Sequence, residues 1–102
     1  MQKVIRDGKV AVLYSPSYGA GWSTWGVPVE GVFHHELVEA VERNATADLI
    51  EGIAQRLFGD NYYGGAGQLK IMWLPVGTQF EIDEYDGHES VITNEDIHWI
   101  VA

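Results

Sequence analysis

The sequence predicts an α+β fold: an antiparallel sheet of about six strands with two short helices packed on one face, in a single domain over residues 1–102. Three observations carry this. Asp7-Gly8 and Asp86-Gly87 each divide two β-rich runs with the dipeptide best suited to a type I′ hairpin turn. Helical spacing of apolar residues is confined to the middle of the chain, and the runs after residue 68 are short and joined by turn residues. Strands linked by tight turns pair antiparallel, and the helices between them cover a sheet face.

In chain order, Lys3–Arg6 and Lys9–Tyr14 form the first hairpin. Residues 15–31 follow as a loop, with Pro16, Pro28 and four glycines opposing regular structure. Phe33, Leu37, Ala40 and Val41 then repeat at helical spacing, and the phase restarts at Leu49, Ile50, Ile53, Ala54, Leu57 and Phe58. Two helices fit better than one, with Asn44 or Thr46 capping the second and Gly59 ending it. A second glycine and aromatic loop, Asn61–Gly67, leads to a strand over Gln68–Leu74 whose two faces are both apolar. Pro75-Val76-Gly77 turns the chain into Thr78–Tyr85, where Phe80 and Ile82 alternate with Glu81, Asp83 and Tyr85 on a wet face. His88–Thr93 and Ile97–Val101 complete the strands, joined by Asn94-Glu95-Asp96.

The 102 residues are 46% apolar, enough to pack one core, and contain no cysteine, which removes disulfides and thiolate chemistry. The N-terminus lacks the apolar core of a secretory signal, and no run approaches the roughly 18 apolar residues of a membrane span. A cytoplasmic setting is expected. Six Lys and Arg against fifteen Asp and Glu give a formal charge of −9, which argues against direct nucleic-acid binding. The distribution is uneven. Lys3, Arg6 and Lys9 crowd the first hairpin, whereas Glu81, Asp83, Glu84, Asp86, Glu89, Glu95 and Asp96 occur without a single Lys or Arg among them. Such a stretch is expected to meet a basic partner.

The densest candidate site is Ser15–Gly26, which gathers glycines, aromatics and hydroxyls in one loop. Tyr18, Gly19, Gly21, Trp22, Ser23, Thr24 and Trp25, with Tyr62 and Tyr63 from the second glycine loop, are candidate binding residues, because glycine admits close approach and Trp and Tyr supply rigid contact area. Two uses are open. The aromatic loop could anchor a protein partner steered by Glu81, Asp83 and Glu89, or the loop amides could hold a nucleotide-like molecule with Trp22 or Trp25 stacked on its ring.

Sharper motifs fail on inspection. Gly21-Trp22-Ser23-Thr24-Trp25 lacks the second glycine of a nucleophile elbow, and Gly19-Ala20-Gly21 lacks the lysine of a phosphate-binding loop. Asp83–Glu89 does not fit the register of a calcium loop. His35 and Glu39 have i,i+4 spacing, yet one such pair falls short of the three or four ligands zinc requires. No catalytic residue, metal or cofactor is therefore expected.

Val4–Leu13 together with Gly19–Trp25, Trp73–Phe80 and Glu84-Tyr85-Asp86-Gly87 resembles small proteins of unassigned role encoded by bacteriophages and mobile elements. The resemblance covers both ends of the chain and not the helical middle. It implies action in the bacterial host cytoplasm, where a non-enzymatic accessory protein binds and neutralises or redirects a host factor such as a defence component. The alternatives are sequestration of a nucleotide-like molecule and, least supported, hydrolysis. Self-association is compatible with each.

Overall fold

In the computed structural model, which describes residues 2–93, the first hairpin forms where Asp7-Gly8 directs it. β1 (Ile5–Arg6) and β2 (Lys9–Tyr14) pair antiparallel with Arg6 opposite Lys9. Both turn residues have positive φ, 52° at Asp7 and 75° at Gly8, as a type I′ turn requires. β3 (Lys70–Pro75) pairs along the whole of β2, from Lys9 opposite Pro75 to Tyr14 opposite Lys70. A separate two-stranded sheet joins β4 (Phe80–Tyr85) to β5 (His88–Thr93) through a second positive-φ pair, Asp86 and Gly87.

Three α-helices fill the middle of the chain. The short α1 (Glu30–Phe33) is separated from α2 (His35–Glu42) by His34, whose extended ψ of 129° breaks the helix and whose Nδ1 accepts a hydrogen bond from the Glu36 N–H at 3.2 Å. Asn44 turns the chain at φ 57°. Thr46 then caps α3 (Ala47–Phe58), its hydroxyl accepting from the Leu49 N–H at 3.3 Å, and Gly59 leaves the helix at φ 85°. The cap satisfies a donor that the first turn of a helix leaves without an intrahelical partner.

The three-stranded sheet is the middle layer. Ala11 and Leu13 of β2 point into a core with Trp22, Leu37, Val38, Ile50 and Ala54, while Val12 between them points the other way, to Val32, Leu74 and Val91. The period-2 alternation of a strand thus supplies both cores from one segment. β3 behaves likewise: Ile71 and Trp73 join the first core, as Leu69 does just ahead of the strand, and Met72 and Leu74 join the second. Each fully buried aliphatic side chain, such as Leu13 or Leu37, contributes about 1.5–3 kcal/mol.

Among the described residues, three α-helices stand where two were expected, because His34 breaks the first helical segment, and the sheet and the first loop are also corrected. The described strands number five in two sheets, not about six in one, and the helices share the molecule with a hairpin packed on the opposite side of the middle sheet. β4 does not continue from β3 as its neighbour, because the β4–β5 turn is held elsewhere. The Gly19 N–H donates to the Asp86 carbonyl, the Gly21 N–H to the Gly87 carbonyl at 2.8 Å, and the Glu89 N–H to the Ser15 carbonyl at 2.9 Å. Residues 15–31 are also not wholly irregular: Trp22–Gly26 form a π-helical turn. The expected strand over Ile97–Val101, its turn Asn94-Glu95-Asp96 and His98 lie outside the described residues.

Candidate functional site

The glycine and tryptophan loop is organised around a carboxylate from the far end of the chain. Gly21 has φ 63° and ψ 54°, and the π-helical turn starts directly after it, so the N–H groups of Ser23 and Thr24 are free of intrahelical partners and converge. The Glu89 side chain receives them. Its Oε2 accepts from the Ser23 N–H at 3.0 Å, the Thr24 N–H at 3.0 Å and the Thr24 hydroxyl at 2.9 Å. Its Oε1 accepts from the Ser15 N–H at 2.9 Å. Glu89 is 0% exposed. Removing a carboxylate from water is costly, and here fixed backbone dipoles replace the lost hydration through charge-assisted bonds.

This arrangement changes the reading of several candidate residues. Glu89 is not part of an acidic surface; it is an internal anchor between the hairpin and the loop. The amides a nucleotide phosphate would need at Ser23 and Thr24 are already taken by that carboxylate. Trp22 is fully buried, with its indole N–H donating to the Gly31 carbonyl at 3.1 Å, and Tyr63 is buried against it at a ring separation of 6.2 Å. Neither ring is available to a partner. Both belong to the core, and the hydroxyl of Tyr63 is bound to the Gly59 carbonyl.

The remaining aromatic residues are outside. Trp25 is 48% exposed and Tyr62 47%, with ring centroids 6.3 Å apart. Tyr18 is 71% exposed, edge-on to Tyr85 at 6.4 Å and 5.1 Å from the His88 ring. The two pairs meet at the docked turn, since the Tyr62 hydroxyl donates to the Gly19 carbonyl at 2.5 Å and a Cβ on Gly87 would lie 2.9 Å from the Trp25 ring. Gly19 and Gly21 therefore serve hairpin docking, and the exposed rings form a rim around it.

Glu81 and Asp83 stand exposed on β4, opposite Ile92 and Ser90 of β5, on the same outward face as Tyr85. Glu84 and Asp86 are exposed at the turn, where a Glu84 carboxylate oxygen accepts from the Gly87 N–H at 2.9 Å. No Lys or Arg follows Lys70 in the sequence. Beside it, a cavity of about 480 Å³ is lined by Ser23, Thr24, Val29, Val32, Phe80, Glu81 and Ile82. Sequence reading missed Val29, Phe80 and Ile82 as surface features. The signal was Val29, an apolar residue in a segment otherwise read as a polar, glycine-rich loop.

His34, His35 and Glu36 bring ligand atoms within 4.8 Å of one another, and His35 Nδ1 is 4.0 Å from Glu39. Two of these groups are already engaged: His34 Nδ1 caps α2, and Glu36 is ion-paired with Arg56. Burial, followed by the adjoining His35 imidazole, holds the His34 pKa below its ordinary value.

Among the described residues, no helix is long and apolar enough to cross a membrane. Compared with protein-family models, curated proteins and solved structures, the chain has no significant match.

Proposed function

We propose that this protein acts by stoichiometric binding of a protein with a basic surface, using the outward face of the β4–β5 hairpin and the rim of exposed rings beside it. The observation that carries the reading is the pairing of exposed Glu81 and Asp83 with exposed Tyr85 on one strand, in a region devoid of Lys and Arg. Carboxylates at the edge of an interface accelerate encounter with a cationic partner, and aromatic rings supply the contacts that hold it. The acids contribute steering; Tyr18, Trp25, Tyr62 and Tyr85 contribute the anchors. A bacterial host factor, including a defence component, is the partner proposed for this surface.

A nucleotide-like ligand is less well supported. The loop amides already hold the Glu89 carboxylate, and the cavity that remains is bordered by Glu81, whose charge repels phosphate.

The test is capture from host lysate with wild-type protein and with a Glu81→Lys, Asp83→Lys double variant, followed by association kinetics on the captured partner. The double variant is expected to keep its fold and to associate at least tenfold more slowly at low salt, an order of magnitude within the range of steering effects. An unchanged association rate would remove the acidic face from the mechanism.

A further inference from the structure

β4 is an edge strand in the described structure. It pairs with β5 on one side, and no described strand pairs with its other side. An antiparallel edge presents alternate backbone N–H and C=O groups outward, ready for another strand. Proteins commonly blunt such edges with charge, and β4 does carry charge at Glu81 and Asp83. All of it has one sign.

The two faces flanking this edge differ in chemistry. Glu81 and Asp83 project on the outward face. Phe80 and Ile82 project inward and line the cavity of about 480 Å³ with Val29 and Val32, while Glu81, Ser23 and Thr24 complete its lining. That volume is within the range of about 300–1,000 Å³ typical of ligand pockets. A strand added to β4 would direct successive side chains alternately to the carboxylates and into the cavity.

We infer that the edge of β4 with which no described strand pairs receives an extended segment of a partner protein in which cationic and apolar residues alternate, the cations meeting Glu81 and Asp83 and the apolar side chains entering the cavity beside Val29 and Ile82. This inference rests on the protein-binding reading above and names its recognition mode. Charge selects the occupant. A segment without cations leaves two carboxylates opposite uncharged groups, and an acidic one is repelled.

The probe is a short synthetic peptide alternating lysine and valine, compared with one alternating glutamate and valine and with a lysine peptide methylated on its backbone nitrogens. Hydrogen exchange of the full-length protein is followed residue by residue at peptide concentrations up to about 1 mM, at which fivefold protection corresponds to a dissociation constant of about 0.25 mM. The lysine and valine peptide is expected to slow exchange at alternate β4 amides at least fivefold. The acidic and N-methylated peptides should leave them unchanged. Glu81→Lys with Asp83→Lys should abolish the protection through charge, and Val29→Trp should abolish it by filling the cavity from an exposed position, leaving the fold intact.

Absence of protection, protection that survives both variants, or protection elsewhere would overturn the inference. So would protection, without peptide, of the β4 amides that point away from β5, which would assign the edge to this chain; dependence on protein concentration would then identify a second copy. A natural partner that depends on Glu81 and Asp83 yet is not displaced by the peptide would overturn the strand-addition mode alone. A partner indifferent to those acids would overturn the protein-binding reading as well.

Discussion

The Glu89 carboxylate accepts both the backbone N–H and the hydroxyl of Thr24, a residue 65 positions away, and these two bonds tie the second hairpin to the π-helical turn. Glutamine at position 89 would keep the shape but turn one acceptor oxygen into a donor facing donors. Hydrogen bonds to a buried charge contribute about 1.5–3 kcal/mol, so Glu89→Gln should lower unfolding free energy by about 2–4 kcal/mol, read from urea denaturation. A wild-type urea midpoint would show that the carboxylate is dispensable.

Gly87 and Gly8 occupy equivalent positions in two hairpins of the same turn type, at φ 81° and 75°, but their surroundings differ. Nothing lies within 4 Å of a Cβ built on Gly8, whereas one on Gly87 would lie 2.7 Å from the Ala20 nitrogen and 2.9 Å from the Trp25 ring. Gly8→Ala should cost only the backbone term, about 1 kcal/mol. Gly87→Ala should cost about 2–4 kcal/mol, because overpacking adds about 1–3 kcal/mol and the docked turn must move. Equal losses in thermal or urea denaturation would contradict the docking of this turn.

These two residues also mark what sequence could and could not reveal. Asp86-Gly87 announces its own turn, because a two-residue hairpin loop is decided locally by positive φ. Thr46 and Gly59 likewise bound α3 by chemistry within a few residues of themselves. Glu89 gives no such signal. Its environment is made by Ser15, Ser23 and Thr24, which meet it only after the chain has folded, and in sequence it stands among six other acids. Trp22 and Trp25 are indistinguishable by composition for the same reason: the turn directs one indole into the core and the other to the surface. The division into two sheets was hidden too, since it depends on the Gly19 and Gly21 amides capturing the Asp86 and Gly87 carbonyls.

His34 supplies a pH dependence whose sign follows from its role. Its Nδ1 accepts the Glu36 N–H, so the neutral ring caps α2, and burial beside His35 already disfavours the proton. With the folded-state pKa below the ordinary value near 6.5, the unfolded chain takes up the proton first. The cap contribution is therefore complete above that value and is lost progressively as pH falls below it. Asparagine also caps helices and does not titrate, so His34→Asn should flatten the decline in stability between about pH 7 and pH 5 while preserving stability near neutrality. Urea unfolding across this range checks it, and identical slopes for both proteins would exclude His34 as the source.

Trp22 and Trp25 should separate stability from binding. Trp22 is fully buried and donates to Gly31, so Trp22→Ala should remove about 3–5 kcal/mol of stability, the usual cost of deleting a buried indole. Trp25 is half exposed and rests against Tyr62, so Trp25→Ala should cost no more than about 1 kcal/mol, the size of an aromatic pair contribution. If the rim of rings anchors the partner, Trp25→Ala should leave association unchanged and speed dissociation at least tenfold, because short-range packing acts on the complex already formed. The Glu81 and Asp83 reversals should do the opposite, slowing association in a manner that weakens as salt rises. Combining Trp25→Ala with the charge reversals should then give additive losses in binding free energy, one in each rate constant. Unchanged dissociation for Trp25→Ala in a folded protein would confine recognition to β4 and take the aromatic rim out of the interface.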